Sequence, residues 1–265
     1  MKLIKTTRIL IFLGIFINSF FSPFYFLAND HDFSSWQESL KRHVKNGLVH
    51  YAAIQKNPNL FDGAVSAIGH IKREEYDPWS QNEKKAFWIN AYNIGAIKLI
   101  VDYYPLKRSL GLQALRYPPN SIQQIPDVWN QKALTILGRK VSLNYMENGI
   151  LRKEFQDPRI HFAIVCASLG CPVLRDEPYV PEQLDAQLDE AARHFMQDHK
   201  KVNYDARNNT LYLSPIFKWF KEDFEKVGGV ISFVKKYKPE GMPLRDDAKI
   251  QWLDYDWSLN EQKLK

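Results

Sequence analysis

Cysteine is nearly absent from this 265-residue chain, which has two, Cys166 and Cys171. Their spacing with His161 matches no common zinc pattern, so no metal is expected. Beyond residue 28 no stretch is apolar enough to span a membrane, which takes roughly 20 predominantly apolar residues. Clustered lysine and arginine are missing too. Groups such as Lys235, Lys236 and Lys238 read as a solvated face, and nucleic acid is not an expected partner. No Gly-X-Ser-X-Gly elbow surrounds Ser168, which excludes a serine hydrolase of that type. Low-complexity linkers and internal repeats are also absent, which favours one domain over two.

What is present begins with an export pattern. Lys2, Lys5 and Arg8 precede the apolar run Ile9 to Ile17, Asn18 and Ser19 interrupt it, and Pro23 breaks a continuing helix. Basic-then-apolar order predicts a secretory signal over residues 1–28, cleaved after Ala28, although Phe26 stands where a small residue is preferred. The alternative is an uncleaved N-terminal segment that anchors the chain in a membrane. No cysteine lies near this segment, which excludes a lipid-anchored start. The expected location is periplasmic or secreted, with no membrane contact after cleavage. Loss of three cations and no anion takes the net charge from +6 to +3. Residues 29–265 read as one domain, and the 7 Trp, 13 Tyr and 16 Phe of the full chain suit a large core.

The apolar spacing predicts helices and short strands interspersed. Phe33, Trp36, Leu40 and Val44 give a first helix over 32–47, and Leu48 to Ala52 a short extended segment. Ser80 and Glu83 form a capping box for a long helix that Pro105 ends near Tyr104. Residues 106–130, with Pro118, Pro119 and Pro126, read as irregular apart from a turn of helix near Ser121 to Ile125. A hairpin is expected about Gly138 and Arg139, and Ser142 caps a helix to about Phe155. Pro158 to Cys166 reads as an apolar strand. Pro181 opens a helix that turns Leu184, Leu188, Ala191, Ala192 and Phe195 inward. A second hairpin surrounds Asn208 and Asn209, and Ser214-Pro215 starts a helix through Trp219 and Phe224. Gly228 and Gly229 lead to a last short helix, and Ile250 to Trp257 closes the chain as a strand. The predicted class is α+β, with several helices on a small, partly antiparallel sheet.

The stretch Asp157 to Pro172 concentrates the reactive side chains. Cys166 at a strand end reads as a nucleophile, with a nearby cation or helix N-terminus to favour the thiolate. His161 is the obvious base, but strand alternation objects. Odd and even residues face opposite ways, and five steps separate the two by roughly 16 Å. His194 or His199 then become the alternative bases. A Cys166–Cys171 disulfide, favoured by an oxidising compartment, and two inert buried thiols are the competing readings. Asn90 and Asn93 share one face of the long apolar helix, beside Tyr92. They either orient a catalytic imidazole, bind a substrate carbonyl, or tie loops to the helix. Glu147 falls in line with Leu143, Ile150 and Leu151, and is either a general acid/base that also orients His161 or half of a buried ion pair. Arg152, Arg159 and His161 are its candidate neighbours. Asp256 is either a third triad member or a turn residue.

Phe87 to Asn93, Ser142 to Arg152, Arg159 to Pro172, Leu213 to Phe224 and Tyr255 to Asn260, with Ser121 to Trp129 more loosely, together resemble domain-of-unknown-function family 547. The resemblance runs from about Gly47 to Asn260. It implies one globular domain of bacterial and plant proteins and no settled activity. It also implies that plant-type members carry Ser at the position of Cys171, so that a disulfide is not the whole purpose of Cys166. Many relatives carry a polar side chain where this chain has Val165.

Two functions follow as expectations. The first is an exported thiol-dependent hydrolase or acyltransferase: Cys166, His161, Glu147 and Asn90 catalytic, with Asn93, Tyr92, Arg152, Arg159, Ser168 and Cys171 in binding roles. The second is a non-catalytic binding domain with a structural Cys166/Cys171 pair. Either acts on a small molecule or peptide, and no cofactor is expected. Asn90, Asn93, Glu147, Arg152, His161 and Cys166 are expected to converge on one polar spot, since polar groups on apolar faces must satisfy one another.

Overall fold

The computed structural model describes residues 33–262, so the signal expected over 1–28 lies outside the described residues. The first helix, α1 (Ser34–His43), is shorter than its apolar spacing suggests. Val44 leaves it for β1 (Val44–Lys45), which pairs with β2 (Leu48–Val49). Asn46 and Gly47, both at positive φ, make the tight reversal between them. Instead of an extended segment to Ala52, the chain turns into α2 (Tyr51–Lys56). Then come α3 (Asn59–His70) and α4 (Arg73–Tyr76).

α5 (Gln81–Tyr103) is the axis of the domain. Ser80 accepts from the Glu83 amide and the Glu83 carboxylate accepts from the Ser80 amide, so the expected capping box is formed. Nearly every residue from Ala86 to Ile100 is buried, so the helix is covered on all sides and not on one face. Tyr104, ahead of Pro105, is already extended, as the residue before a proline prefers. α6 (Leu112–Arg116) and a short turn of helix at Ile122–Gln124 interrupt the following loop.

β3 (Leu134–Ile136) and β4 (Arg139–Val141) form the expected hairpin. Its turn is Leu137-Gly138, both at positive φ, and no atom lies within 4 Å of where a Gly138 Cβ would stand. Residues Tyr145–Phe155 follow as a π-helix in place of the expected α-helix. Pro158–Phe162 is a 3₁₀ turn and not a strand. Asp157 accepts from the Arg159 amide and Pro158 occupies the first helical position, two signals that start a helix and that outweigh the β-type composition downstream.

Pro181–Gln183 starts the helical stretch that continues as α7 (Leu184–Gln197). β5 (Val202–Asp205), β6 (Thr210–Leu213) and β7 (Lys249–Trp252) make a three-stranded sheet, with β5–β6 antiparallel and β6–β7 parallel. Between them lie α8 (Ile216–Trp219), α9 (Lys221–Glu225) and α10 (Val230–Tyr237). The expected closing strand to Trp257 stops at Trp252. The chain then continues without regular secondary structure, apart from single bridges from Leu259 to Ser168 and from Glu261 to Val49.

The result is one α+β domain with two apolar clusters. The larger surrounds α5; the smaller is rich in phenylalanine, with Phe162, Phe195, Phe217, Phe224 and Phe233. The turn Pro158–Phe162 straddles them, sending Ile160 into the first and Phe162 into the second. Each such fully buried side chain contributes about 1.5–3 kcal/mol, which fixes the turn between the two. His161 sits between these anchors. Among the described residues no helix is long and apolar enough to cross a membrane.

Candidate functional site

The loop from Ala163 to Pro172 is held from three directions. From α5, Asn93 donates to the Ala163 carbonyl at 3.0 Å and accepts from the Val165 amide at 2.8 Å. From the C-terminal segment, the Ser258 and Asp256 carbonyls accept from the Leu169 and Gly170 amides, each at 2.8 Å. The Tyr255 ring covers Gly170 so closely that a Cβ there would lie 2.9 Å from three ring carbons. Ala167, directly after Cys166, is held at φ 60°, a left-handed conformation that costs a non-glycine residue about 1–3 kcal/mol. The Asn260 amide donates to its carbonyl at 3.1 Å. A backbone held this way keeps the neighbouring side chain in one orientation.

Cys166 and Cys171 are paired as a disulfide, with Cα atoms 6.3 Å apart. The Tyr255 hydroxyl donates to Cys171 Sγ at 3.1 Å and lies 3.4 Å from Cys166 Sγ. Ser168 Oγ donates to the Cys166 carbonyl at 3.4 Å. Both cysteines line a cleft of about 220 Å³ together with Tyr92, Glu147, His161 and Tyr255. Trp129, Trp219, Phe220 and Trp257 complete much of its wall.

His161 lines this cleft because residues 158–162 turn, and strand alternation does not apply. Its Nε2 lies 2.8 Å from Asp223 Oδ2, which also accepts from Arg152 Nε at 2.6 Å. Burial resists ionisation of Asp223, but the hydrogen bonds from His161 and Arg152 outweigh it and hold the carboxyl well below the usual range. An ionised carboxylate only accepts, so Nε2 carries the proton. Burial lowers the pKa of His161 further than Asp223 raises it, so the ring is neutral at pH 7. Among the described residues its Nδ1 is buried with no hydrogen-bond partner. A neutral, oriented imidazole with one free lone pair is the state of a general base. Phe220 stacks on the ring at 3.9 Å and fixes its plane.

Glu147 is placed by the π-helix. In an i→i+5 helix the residues four and five apart fall on one side, so Glu147 aligns with the buried Leu151. Its carboxyl accepts from the Tyr92 hydroxyl at 3.4 Å. Desolvation raises its pKa to about 7, against the pull of Arg152 and the Tyr92 bond. Burial raises Tyr92 as well, so its phenol stays a donor. A second polar line runs along the outer face of the helix. Asn144 donates to Asn130, Asn148 to Asn144, and Arg152 to Asn148, at 3.1, 2.7 and 2.6 Å.

The structure thus gathers Tyr92, Glu147, His161, Cys166 and Cys171 around one cleft, with Arg152 behind it through Asp223 and Asn93 beneath it through the backbone. Asn90 and Arg159 are placed elsewhere. Asn90 donates to the Tyr179 carbonyl and accepts from the Tyr179 amide, at 2.8 and 3.0 Å, and so clamps a loop to α5. Arg159 is bidentate to Asp157 and reaches Asp185 and Asp189, an ion-pair knot between the 3₁₀ turn and α7. His194 and His199 are exposed and do not line the cleft. Asp256 accepts from the Ser258 amide in a turn.

Asp223 escaped the reading of the sequence, as did the aromatic wall. Asp223 shares a helix face with Phe220 and sits beside Phe224, an acid on an apolar face, which is the signal that marked Glu147. Nothing in the sequence places Trp129, Trp219 and Trp257 together.

No curated protein and no solved structure matches the chain. A family model does match, over residues 76–196, a narrower range than the resemblance read from the sequence. That range holds Tyr92, Glu147, Arg152, His161 and both cysteines, while Asp223, Trp219, Tyr255 and Trp257 lie beyond it. Over residues 76–196 the chain resembles the family described as protein of unknown function, DUF547.

Proposed function

We propose that this is an exported thiol-dependent hydrolase or acyltransferase in which Cys166 is the nucleophile, His161 the base, and Asp223 the group that orients it. The observation that carries the reading is His161: one ring nitrogen bound to an ionised Asp223, the other free, on the wall of the cleft that Cys166 also lines. Asp223 takes the role that the sequence reading gave to Glu147 or Asn90. The disulfide makes the observed form the resting one. A dithiol reductant opens it by taking up the disulfide form itself, leaving Cys166 and Cys171 as thiols.

His161 Nδ1 then accepts the Cys166 proton, and the thiolate attacks the carbonyl carbon of an ester or amide. The S–C bond forms as the bond to the leaving group breaks, and the imidazolium gives its proton to that group. Water, or a second acceptor, is deprotonated by His161 and releases the acyl group from sulfur. The Tyr255 hydroxyl, within reach of both sulfurs, supports the thiolate. Glu147, half-protonated near pH 7, supplies a further acid at the cleft wall. Export is supported by the basic-then-apolar start and by a disulfide, which persists in oxidising compartments. The substrate is a small molecule or peptide, as the size of the cleft suggests.

The test is hydrolysis of a panel of small esters, thioesters and amides by the reduced protein. Turnover that requires prior reduction and is abolished by Cys166→Ser and His161→Ala supports the proposal. Turnover that survives either substitution rejects it. The second reading, a binding domain with a structural cysteine pair, is favoured by the engagement of both sulfurs and gains if the reduced protein is inert to the whole panel.

A further inference from the structure

Beside the thiol chemistry, the same cleft carries tryptophan rings that the nucleophile reading does not use. Its outer wall is a continuous aromatic surface. Trp257 stacks on Trp219 at 5.8 Å and meets Tyr255 at 4.6 Å and Trp129 at 6.3 Å, and Trp219 packs on Tyr255 at 4.9 Å. Trp219 nevertheless remains 47% exposed. Such a ring covers no core of its own, and its free face is available to a ligand.

The charges around this wall are one-sided. Among the described residues Glu147 lines the cleft, and no lysine or arginine does. Arg152, a nearby cation, is engaged by Asp223 and Asn148 and lies over the Phe220 ring at 4.9 Å. With His161 stacked on it as well, Phe220 is already occupied. Among the described residues the cleft therefore presents a carboxyl with no cation beside it in the lining, together with an aromatic wall in which Trp219 is half exposed. Indole faces attract cations through the ring quadrupole, tryptophan most strongly, and a desolvated carboxylate is stabilised by a charge partner.

We propose that the cleft holds a subsite for a quaternary ammonium group, seated against Trp129, Trp219 and Trp257 with Glu147 as its counter-ion. A cavity of about 220 Å³ suits one such headgroup, free or at the end of a longer molecule. The subsite is independent of Cys166 and needs no free thiol. Binding follows the ionisation of Glu147, which Tyr92 from α5, Arg152 from its own helix, Asp223 from α9, and the nearby Tyr255 and His161 all face. Of these, Glu147 is the group whose pKa stands at about 7. Affinity for a permanently charged ligand then rises with pH through that value.

The experiment titrates choline, and 3,3-dimethyl-1-butanol as its neutral carbon isostere, into the oxidised protein, followed by tryptophan fluorescence and calorimetry. At about pH 8 choline is expected to bind at least about tenfold more tightly than the isostere. That preference should shrink to less than about threefold at about pH 5.5, where the carboxyl is protonated. Glu147→Gln and, separately, Trp219→Ala should each weaken choline binding by about tenfold. Trp219 is exposed, so its substitution leaves the core intact if the Glu147 variant misfolds. Equal binding of choline and isostere, no binding of choline, or an unchanged affinity in Glu147→Gln overturns the proposal. Because the disulfide stays closed throughout, none of these results bears on Cys166 as a nucleophile.

Discussion

Asp223 Oδ2 accepts from Arg152 Nε at 2.6 Å and from His161 Nε2 at 2.8 Å, so a single carboxylate oxygen fixes both side chains. Asp223→Asn keeps the shape and removes the charge, which lets the imidazole adopt the other tautomer. We expect a fall in thiol-dependent turnover of on the order of a hundredfold or more, with an unchanged circular dichroism spectrum. Asn93 acts differently, because both of its bonds go to backbone. Asn93→Ala strands the Ala163 carbonyl and the Val165 amide, and about 1–3 kcal/mol for each should appear as lost stability in urea unfolding. Glu147 carries a cost of the opposite kind. Its folded pKa, about 7, lies above its unfolded value near 4.5, so the folded state binds the extra proton between those values. Stability is then full below about pH 4.5, falls as pH rises to about 7, and levels off, a total of about 3 kcal/mol. Glu147→Gln should abolish that slope in unfolding measured from about pH 4 to about pH 8, and an unchanged slope assigns it to another group. Glu147 and the cysteines were legible in the sequence as polar or reactive groups on apolar elements. Asn90 carried the same signal, but its partner is the backbone of a loop 89 residues away, which no local pattern reveals.

At the level of elements, the π-helix and the 3₁₀ turn decide which side chains reach the cleft. Reading Tyr145–Phe155 with a 3.6-residue period puts both Ile150 and Leu151 in line with Glu147, whereas the wider helix favours Leu151. Gly149 stands with its missing Cβ 3.1 Å from the Tyr145 ring, a close approach inside that helix. Reading 158–166 as a strand separates His161 from Cys166, and the turn started by Asp157 and Pro158 removes the objection. The apolar content of the segment was read correctly; its period was not, because a short run buried on all sides has no alternation to read. Capping signals fared better: Ser80 with Glu83 and the reversal after Ile136 fixed their elements locally. The Cys166–Cys171 turn depends on an element far away in sequence, since Tyr255 lies on Gly170. Gly170→Ala drives a methyl into that ring, and we expect Tyr255 to move off the sulfurs, which near-ultraviolet circular dichroism would register. An unchanged aromatic signal together with full stability would show that the Tyr255 ring does not pack tightly on Gly170.

For the whole molecule, the cleft lies where the cluster around α5 meets the phenylalanine-rich cluster, and each side contributes. Glu147, His161 and the cysteines come from 76–196, whereas Asp223 and most of the aromatic wall come from residues 219–257. The α+β class was legible because it follows from the alternation of periods along the chain; the meeting of the two clusters was not, because it depends on contacts between residues more than fifty apart. One consequence is that 76–196 alone holds a thiol and an imidazole without the carboxylate that orients the ring. The central claim is that His161, held by Asp223, activates Cys166. It is tested most directly in the Cys171→Ser protein, where Cys166 has no partner, by the rate of iodoacetamide alkylation as a function of pH. We expect a midpoint well below the free-thiol value of about 8.5 that returns to or above that value in His161→Ala. A midpoint at or above about 8.5 that His161→Ala leaves in place would contradict it.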